Sequence, residues 1–550
     1  MTQTSENAFS THEVTNQPSP LAPYDAWATD IPLQQALERE GGGWARDAIA
    51  GYGPIAGGEL MELGFAANEN KPRLRQFDRY GQRIDEVEFH PAYHRLLALG
   101  IAHGVTDFAW RNEARSGAHV ARAALMYLHG QADQGTCCPM TMTYASVATL
   151  RREPSIAAQW IPRVLAGEYD PRSISPTAKR GVTIGMGMTE KQGGSDVRSN
   201  TTRACPVSGA QPALYELVGH KWFFSAPMSD AFLVLAQTEP GLSCFLVPRF
   251  APDGERNALR LQRLKDKLGD WSNASAEVEF QHALGWRVGD EGRGIATILD
   301  MVALTRQDCM IGSAAIMRQA LAQAIHHARG RKAFGRLLVD QPLMQNVLAD
   351  LALESEAAML LSLRVARAVD AAPRDPGEAA FARIATAIGK YWICKRCPGF
   401  VNEAQEALGG AGYVEESILP RLYRQAPLNS IWEGSGNIQC LDVLRALSRE
   451  PATRDALFTE FAAVRGRDPR LDRHVAAIES RLRDPLNEAL ARALVEMLAL
   501  GLQAAQLLRV DEDPVVAHVF CAARLDDGGG RTYGTLPDPA SCAQLIRRAF

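Results

Sequence analysis

Glu433 stands in the run Asn429-Ser430-Ile431-Trp432-Glu433-Gly434-Ser435-Gly436-Asn437, one acid among an indole, small residues and glycines. A carboxylate works as a base near neutral pH only when desolvation raises its pKa, and Trp432 beside it can exclude water. The alternative is an ordinary solvated loop acid. A second stretch, Gly185 to Val197 (GMGMTEKQGGSDV), carries glycines at 185, 187, 193 and 194 and hydroxyls at Thr189 and Ser195. Such a loop can bring N–H and O–H groups against a phosphate or the edge of a planar cofactor, or it can be a structural turn. It is no Walker loop, because Lys191 precedes the last glycines and no Gly-Lys-Ser/Thr follows. No helical pattern follows it either, which excludes a dinucleotide fingerprint.

Three more stretches could contribute. In VGHKWFFSAP, Phe223, Phe224 and Ser225 could set rings and a hydroxyl against a planar ligand, or Phe223 and Phe224 could be core aromatics of a strand. In GRKAFG, Arg331 could meet a phosphate, cap a helix C-terminus or be a surface cation. In ALGGAGYVEE, Gly409, Gly410 and Gly412 allow close packing against a ligand or form a helix C-cap. No metal site is expected. Cys394 and Cys397 have CxxC spacing without a second ligand pair, and Pro91 interrupts a helical His90–His94 pair.

The elements that must position these residues follow from the pattern of the chain. Its 550 residues exceed one ordinary core, and 46% hydrophobic with 22% charged residues describes a folded globular protein. The first residues lack a basic start and apolar core, so no signal peptide is expected, and no apolar run has the length of a membrane span. The segment 493–508 reads as a buried helix. Ten scattered cysteines without a disulfide framework suit a reducing cytosol, so a cytoplasmic location is expected. Leu96, Leu97 and Ile101, then Ala121, Leu125 and Leu128, recur at helical spacing. From about 182, alternating and short apolar runs separated by Gly and Pro predict strands, as in LYELVG, AFLVLAQT and AEVEFQ. Helices return after about 290. Leu471, Val475, Ile478 and Leu482, and then Leu486, Leu490, Leu494 and Met497, predict two more near the end. The expected fold is multidomain α+β. A polar tail (1–40) precedes an N-terminal helical domain (41–183), a central antiparallel β domain (184–287), a C-terminal helical bundle (288–444) and an extra helical domain (445–550).

Taken in order, TExxxGSD, a strand ending in two aromatics and a hydroxyl, RxxFG, LGGxGY and WEGSGN resemble the acyl-CoA dehydrogenase family across roughly 90–445. The resemblance implies FAD held between the β domain and the C-terminal helices of a homotetramer. It places Met186, Gly187, Met188, Thr189, Glu190, Gly194 and Ser195 along the flavin. Phe223, Phe224 and Ser225 would cover the isoalloxazine face, where the family usually has Trp-Ile-Thr. Arg331 matches an arginine that reaches the neighbouring subunit's FAD pyrophosphate, and Gly409 and Gly410 match the turn over that same FAD. Glu406 replaces the family's usual glutamine there. Glu433 falls on the position of the catalytic base, which removes the α proton of an acyl-CoA thioester while hydride leaves the β carbon for the flavin. Ile431, Trp432, Gly434, Ser435, Gly436 and Asn437 surround it as cofactor contacts.

The chain runs about 105 residues past the end of a typical member. With LKDKLG (264–269), SNAS (272–275) and the run 429–447, it is similar to a branch of the family made in the adaptive response to DNA alkylation. That branch implies a tail that binds double-stranded DNA with little sequence specificity, and a weak residual activity on isovaleryl-CoA-like substrates. Residues 441–550 hold fifteen arginines and sixteen acids, so any DNA surface must come from local clustering. The candidates are Arg445, Arg467, Arg470, Arg473, Arg524 and Arg531, which could neutralise phosphates or could be paired with acids along their helices. The competing expectation is a metabolic short- or branched-chain acyl-CoA dehydrogenase whose tail serves oligomerisation.

Overall fold

The computed structural model describes residues 11–209, 213–510, 513–526 and 528–550. The first ten residues of the expected tail lie outside it. The polar tail is shorter than its pattern suggested. A nine-residue helix, Ile31–Arg39, already buries Leu33, Ala36 and Leu37 completely. Asp30 caps it by accepting the Leu33 N–H at 3.1 Å. Nine residues give too few turns for a clear helical period in the sequence.

The N-terminal helices include Arg46–Ala56, Glu59–Glu69, Pro91–Ala102, Ala118–Ala132 and Cys137–Leu150. Between them an antiparallel hairpin, Arg73–Phe77 with Arg83–Glu88, interrupts a region expected to be wholly helical. Its residues are too charged to stand out as strands. Among the described residues the sheet that follows has seven strands, from Ile184–Gly187 to Ser275–Val288. It is mixed and not purely antiparallel, because Ile184–Gly187 runs parallel to Ala231–Thr238. The long strands Leu214–Ser225 and Ser275–Val288 pair antiparallel and form the wall that carries Phe223 to Ser225.

Three long helices then cross the molecule: Gly294–Gly330, Pro342–Ala371 and Pro376–Leu408. The first is buried along most of its 37 residues. The tail helices Pro469–Arg481, Ala491–Leu508, Pro514–Arg524 and Cys542–Ala549 are not a separate unit. Val495, Leu498, Phe520 and Leu545 belong to one continuous apolar core with Leu351, Leu361 and Phe400 of the long helices. By composition the helix Glu488–Leu508 is apolar enough to cross a membrane, and two thirds of that window is buried inside this fold. The two ends of the described chain meet at the end of the 37-residue helix, where Arg329 donates to the Phe550 carbonyl at 2.6 Å and Tyr24 lies edge-on to the Phe550 ring.

Candidate functional site

Glu433 sits in a turn that opens the helix Gly436–Arg449, with φ +58° followed by Gly434 at φ +92°. A left-handed conformation at glutamate costs on the order of 1 kcal/mol, so the surroundings must hold it. They do so through its carbonyls. Lys390 Nζ donates to the Trp432 oxygen at 2.7 Å and the Gly434 oxygen at 2.8 Å. Arg306 Nε donates to the Glu433 oxygen at 3.0 Å, and Gln439 Nε2 donates to the Glu433 and Gly434 oxygens at 3.1 and 2.9 Å. Arg306 is itself fixed by Asp442 at 3.0 Å, an acid shared with Arg383. The two cations nearest the turn therefore bind backbone, and the carboxylate is left for other work.

That carboxylate accepts a hydrogen bond from Thr305 Oγ1 at 2.8 Å. Burial pushes its pKa up from the ordinary range, offset in part by the Thr305 bond and by the charges of Lys390 and Arg306. Trp432 is pinned by its indole N–H donating to Asn429 Oδ1 at 2.9 Å, and it packs on a buried cluster containing Met142, Met186, Cys138 and Ala226. Cys138 lies between the two halves of the site. Its thiol, held up at about 12 by burial, is in hydrogen-bond reach of Ser225 and feels the Glu433 charge. Ser225, Met186, Met188, Trp432 and Glu433 thus share one neighbourhood around Cys138.

Several expected contacts are placed differently. The Phe224 ring is fully buried in the β core against Phe232 and Phe280, because strand alternation turns it away from the face that carries Phe223. Only Phe223, 53% exposed, offers a ring. Glu190 points inward as well. It forms an ion pair with Lys221 at 2.8 Å, both side chains fully buried, and cannot line a ligand. Arg331 and the Gly409–Gly412 turn, expected at the neighbouring subunit's FAD, lie far from Glu433 within one chain. Arg331 follows Thr305 by 26 positions on one helix, roughly 40 Å at 1.5 Å per residue. Gly409 lies roughly 30 Å beyond Lys390 by the same measure. Arg331 donates to the Asn16 carbonyl at 2.8 Å, and Asn437 Oδ1 accepts from Arg492 at 2.9 Å. Glu406 is exposed.

Among the tail arginines, Arg524 is an internal strut and not a surface cation. Its side chain is 12% exposed and pairs with buried Asp350 and Glu354. Arg470 closes on Asp468 at 2.7 Å, and Arg473 faces Asp526 at 3.5 Å. Arg467 donates to the Leu508 carbonyl at 2.7 Å. Arg445 and Arg531 are exposed. Thr305, Arg306, Lys390 and Gln439 were not expected from sequence. Lys390 left one signal, a single cation inside the apolar run IATAIGKYWIC. No cluster of three or more potential metal ligands occurs among the described residues.

The residues present fit FAD. Ile431, two residues before the desolvated Glu433, and Phe223, two before Ser225 on its strand, leave apolar surface open, which suits a planar ring. A Cβ added at Gly193, Gly409 or Gly410 would meet nothing within 4 Å, so the backbone there is free for close approach. A cleft of about 990 Å³ adjoins this neighbourhood. Pro139 and Ala226, the residues after Cys138 and Ser225, form part of its lining with Tyr93, His94 and Trp271.

Fold and site together define an acyl-CoA dehydrogenase-type oxidoreductase, and the comparisons agree. The family descriptions "Acyl-CoA dehydrogenase, middle domain" and "Acyl-CoA dehydrogenase, C-terminal domain" match residues 185–283 and 292–448. The chain belongs to the acyl-CoA dehydrogenase family of FAD-dependent oxidoreductases. Within it the chain falls with AidB: "Adaptive response protein AidB N-terminal domain" matches residues 16–171. The chain is 50% identical to Escherichia coli (strain K12) AidB, whose curated name places it among acyl-CoA dehydrogenases, over 95% of this chain and 96% of that protein. It is 30% identical to acyl-CoA dehydrogenase family member 11 of Caenorhabditis elegans, over 87% and 78% of the two chains. The crystal structure of C. elegans ACDH-11 in complex with C11-CoA superposes with a TM-score of 0.81 at 26% identity, covering all of this chain and 95% of that one.

Proposed function

We propose that this oxidoreductase serves the adaptive response to DNA alkylation. It binds FAD, assembles as a homotetramer in the cytoplasm, and associates with double-stranded DNA through phosphate contacts, protecting it or inactivating alkylating agents. A weak activity on isovaleryl-CoA-like thioesters remains. The half of this reading that concerns chemistry rests on one observation, the desolvated Glu433 carboxylate held at a fixed, left-handed turn, with the Cys138 thiol within reach of both its charge and Ser225. When bound, FAD accepts the hydride of the α,β-dehydrogenation. The chain supplies the rest. Glu433 takes the α proton, Trp432 and the methionines keep water out, and Lys390, Arg306 and Gln439 prevent the turn from relaxing.

The DNA half rests on the 50% identity to AidB along nearly the whole chain and on the exposure of Arg445 and Arg531. Titrating DNA against the flavin-loaded protein over a salt series tests it. Affinity falling steeply with salt is expected, and affinity that is absent at low salt or indifferent to salt refutes it.

A second reading, a metabolic acyl-CoA dehydrogenase, is favoured by the C11-CoA found in the similar ACDH-11 structure and by the structural use of Arg524. Anaerobic addition of short, branched and C11 acyl-CoAs separates the two. Fast, complete flavin bleaching supports the metabolic enzyme, and slow or negligible bleaching supports the first reading.

A further inference from the structure

We propose that the Thr305 hydroxyl is a two-position latch on Glu433, donating to the carboxylate while it is ionised and to the Val302 carbonyl once the carboxyl holds a proton. The inference rests on the reading of Glu433 as the base. Thr305 is 2% exposed, and its Oγ1 lies 2.8 Å from Glu433 Oε2 and 3.1 Å from the Val302 oxygen one turn back on the same helix. One hydroxyl proton thus faces two acceptors and can serve only one at a time. Rotation about the C–O bond moves it between them without moving a heavy atom.

The charged and titratable groups around Glu433 leave this role to Thr305. From the same helix Arg306 binds the Glu433 carbonyl, and Cys309 is a buried thiol. From the helix Pro376–Leu408, Lys390 binds the neighbouring carbonyls, and from Cys137–Leu150 comes the Cys138 thiol. No other side chain donates to the carboxylate among the described residues, so Oε1 is left for the substrate's acidic C–H. In the step itself the Cα–H bond breaks and its proton goes to Oε1. The C–H electron pair forms the Cα=Cβ bond as hydride leaves Cβ, and a half-turn of the carboxyl about its Cγ–Cδ bond brings the new O–H from the substrate side to Thr305, which keeps its own proton, turns it to Val302 and offers that O–H a lone pair. The latch therefore holds the base ionised and in place before the transfer, and no buried group is left unpaired after it.

The test uses the flavin-loaded protein and its Thr305→Val, Thr305→Ala and Thr305→Ser variants. The protonated-carboxyl C=O stretch of Glu433, assigned by its absence in Glu433→Gln, is titrated by infrared difference spectroscopy without any acyl-CoA. In parallel the pH profile of anaerobic flavin reduction by isovaleryl-CoA is recorded. Losing the hydroxyl should raise the Glu433 midpoint by about one pH unit or more, move the acid limb of the rate profile with it, and leave Thr305→Ser near wild type. A midpoint unchanged in both Val and Ala, or shifted as far in Ser, overturns the latch. If Glu433→Gln still reduces flavin at the wild-type rate, the reading of Glu433 as base fails, and the infrared titration judges the latch by itself.

Discussion

Replacing Glu190 by Gln tests whether that acid holds the loop or meets the ligand. Its carboxylate is fully buried and collects five donors. Lys221 Nζ at 2.8 Å and the Thr202 N–H at 3.2 Å reach Oε1. The Thr201 N–H at 2.7 Å, Thr201 Oγ1 at 3.1 Å and Gln192 Nε2 at 2.8 Å reach Oε2. Burial by itself would push the pKa up, but the Lys221 charge and these hydrogen bonds bring it down to about 2. The Lys221 ammonium is pushed down by the same burial, so the pair's net stabilisation is smaller than the Glu190 shift by itself would give. Glutamine strands the Lys221 ammonium without a counter-charge and turns an N–H₂ toward the Thr201 and Gln192 donors, so about 3–5 kcal/mol is lost. Because the folded pKa lies below the unfolded one, the stabilisation is full above about pH 4.5 and is lost as pH falls through about 2. Thermal melting followed by flavin fluorescence should show Glu190→Gln melting about 3–4 °C lower at pH 7. Adding Lys221→Met should recover much of it, since no buried charge then remains. A single variant melting within about 1 °C of wild type, or a double variant no better than the single, would refute the reasoning.

Glu433→Gln should keep the fold and bound FAD while slowing flavin reduction by acyl-CoA at least about 100-fold in stopped-flow bleaching. Unchanged bleaching would mean that another group is the base. Arg524→Ala should destabilise the protein by about 3 kcal/mol in thermal or urea unfolding, because Asp350 and Glu354 lose a buried partner. DNA affinity changing without any loss of stability would instead make it a surface contact. Changing Arg445, Arg473 and Arg531 together to Gln should reduce the salt slope of DNA binding by up to about 3, at about 0.9 per phosphate contact, with melting unchanged. A slope equal to wild type would move the DNA surface elsewhere.

How far the site was legible depended on the kind of signal each residue left. Glycine-rich turns and an acid beside an indole are local features, so Gly193, Gly409, Gly410 and Glu433 stood out in the string. Phe224 and Glu190 show the limit. Their chemistry is right for a cofactor site, but strand alternation and a loop reversal turn both into the interior, and residue type says nothing of side-chain direction. Thr305, Arg306 and Lys390 come from helices 43 to 128 positions before Glu433 and carry no motif. Only packing brings them there.

The tail shows the same division. Sequence alone established that residues 445–550 are helical, rich in arginine and close to neutral, because periodicity and composition are properties of the string. Which arginines face water could not follow from it. Arg524 and Arg470 have the same charge as Arg445 and Arg531, yet the first two are bound to Asp350, Glu354 and Asp468. An ion pair between positions 524 and 350 exists only after two distant helices have packed, since bringing charges together across that separation requires the core that removes them from water. The order of motifs therefore settled the family. The tertiary structure decided which carboxylate is desolvated, which cations hold its turn, and which arginines are left to meet a partner.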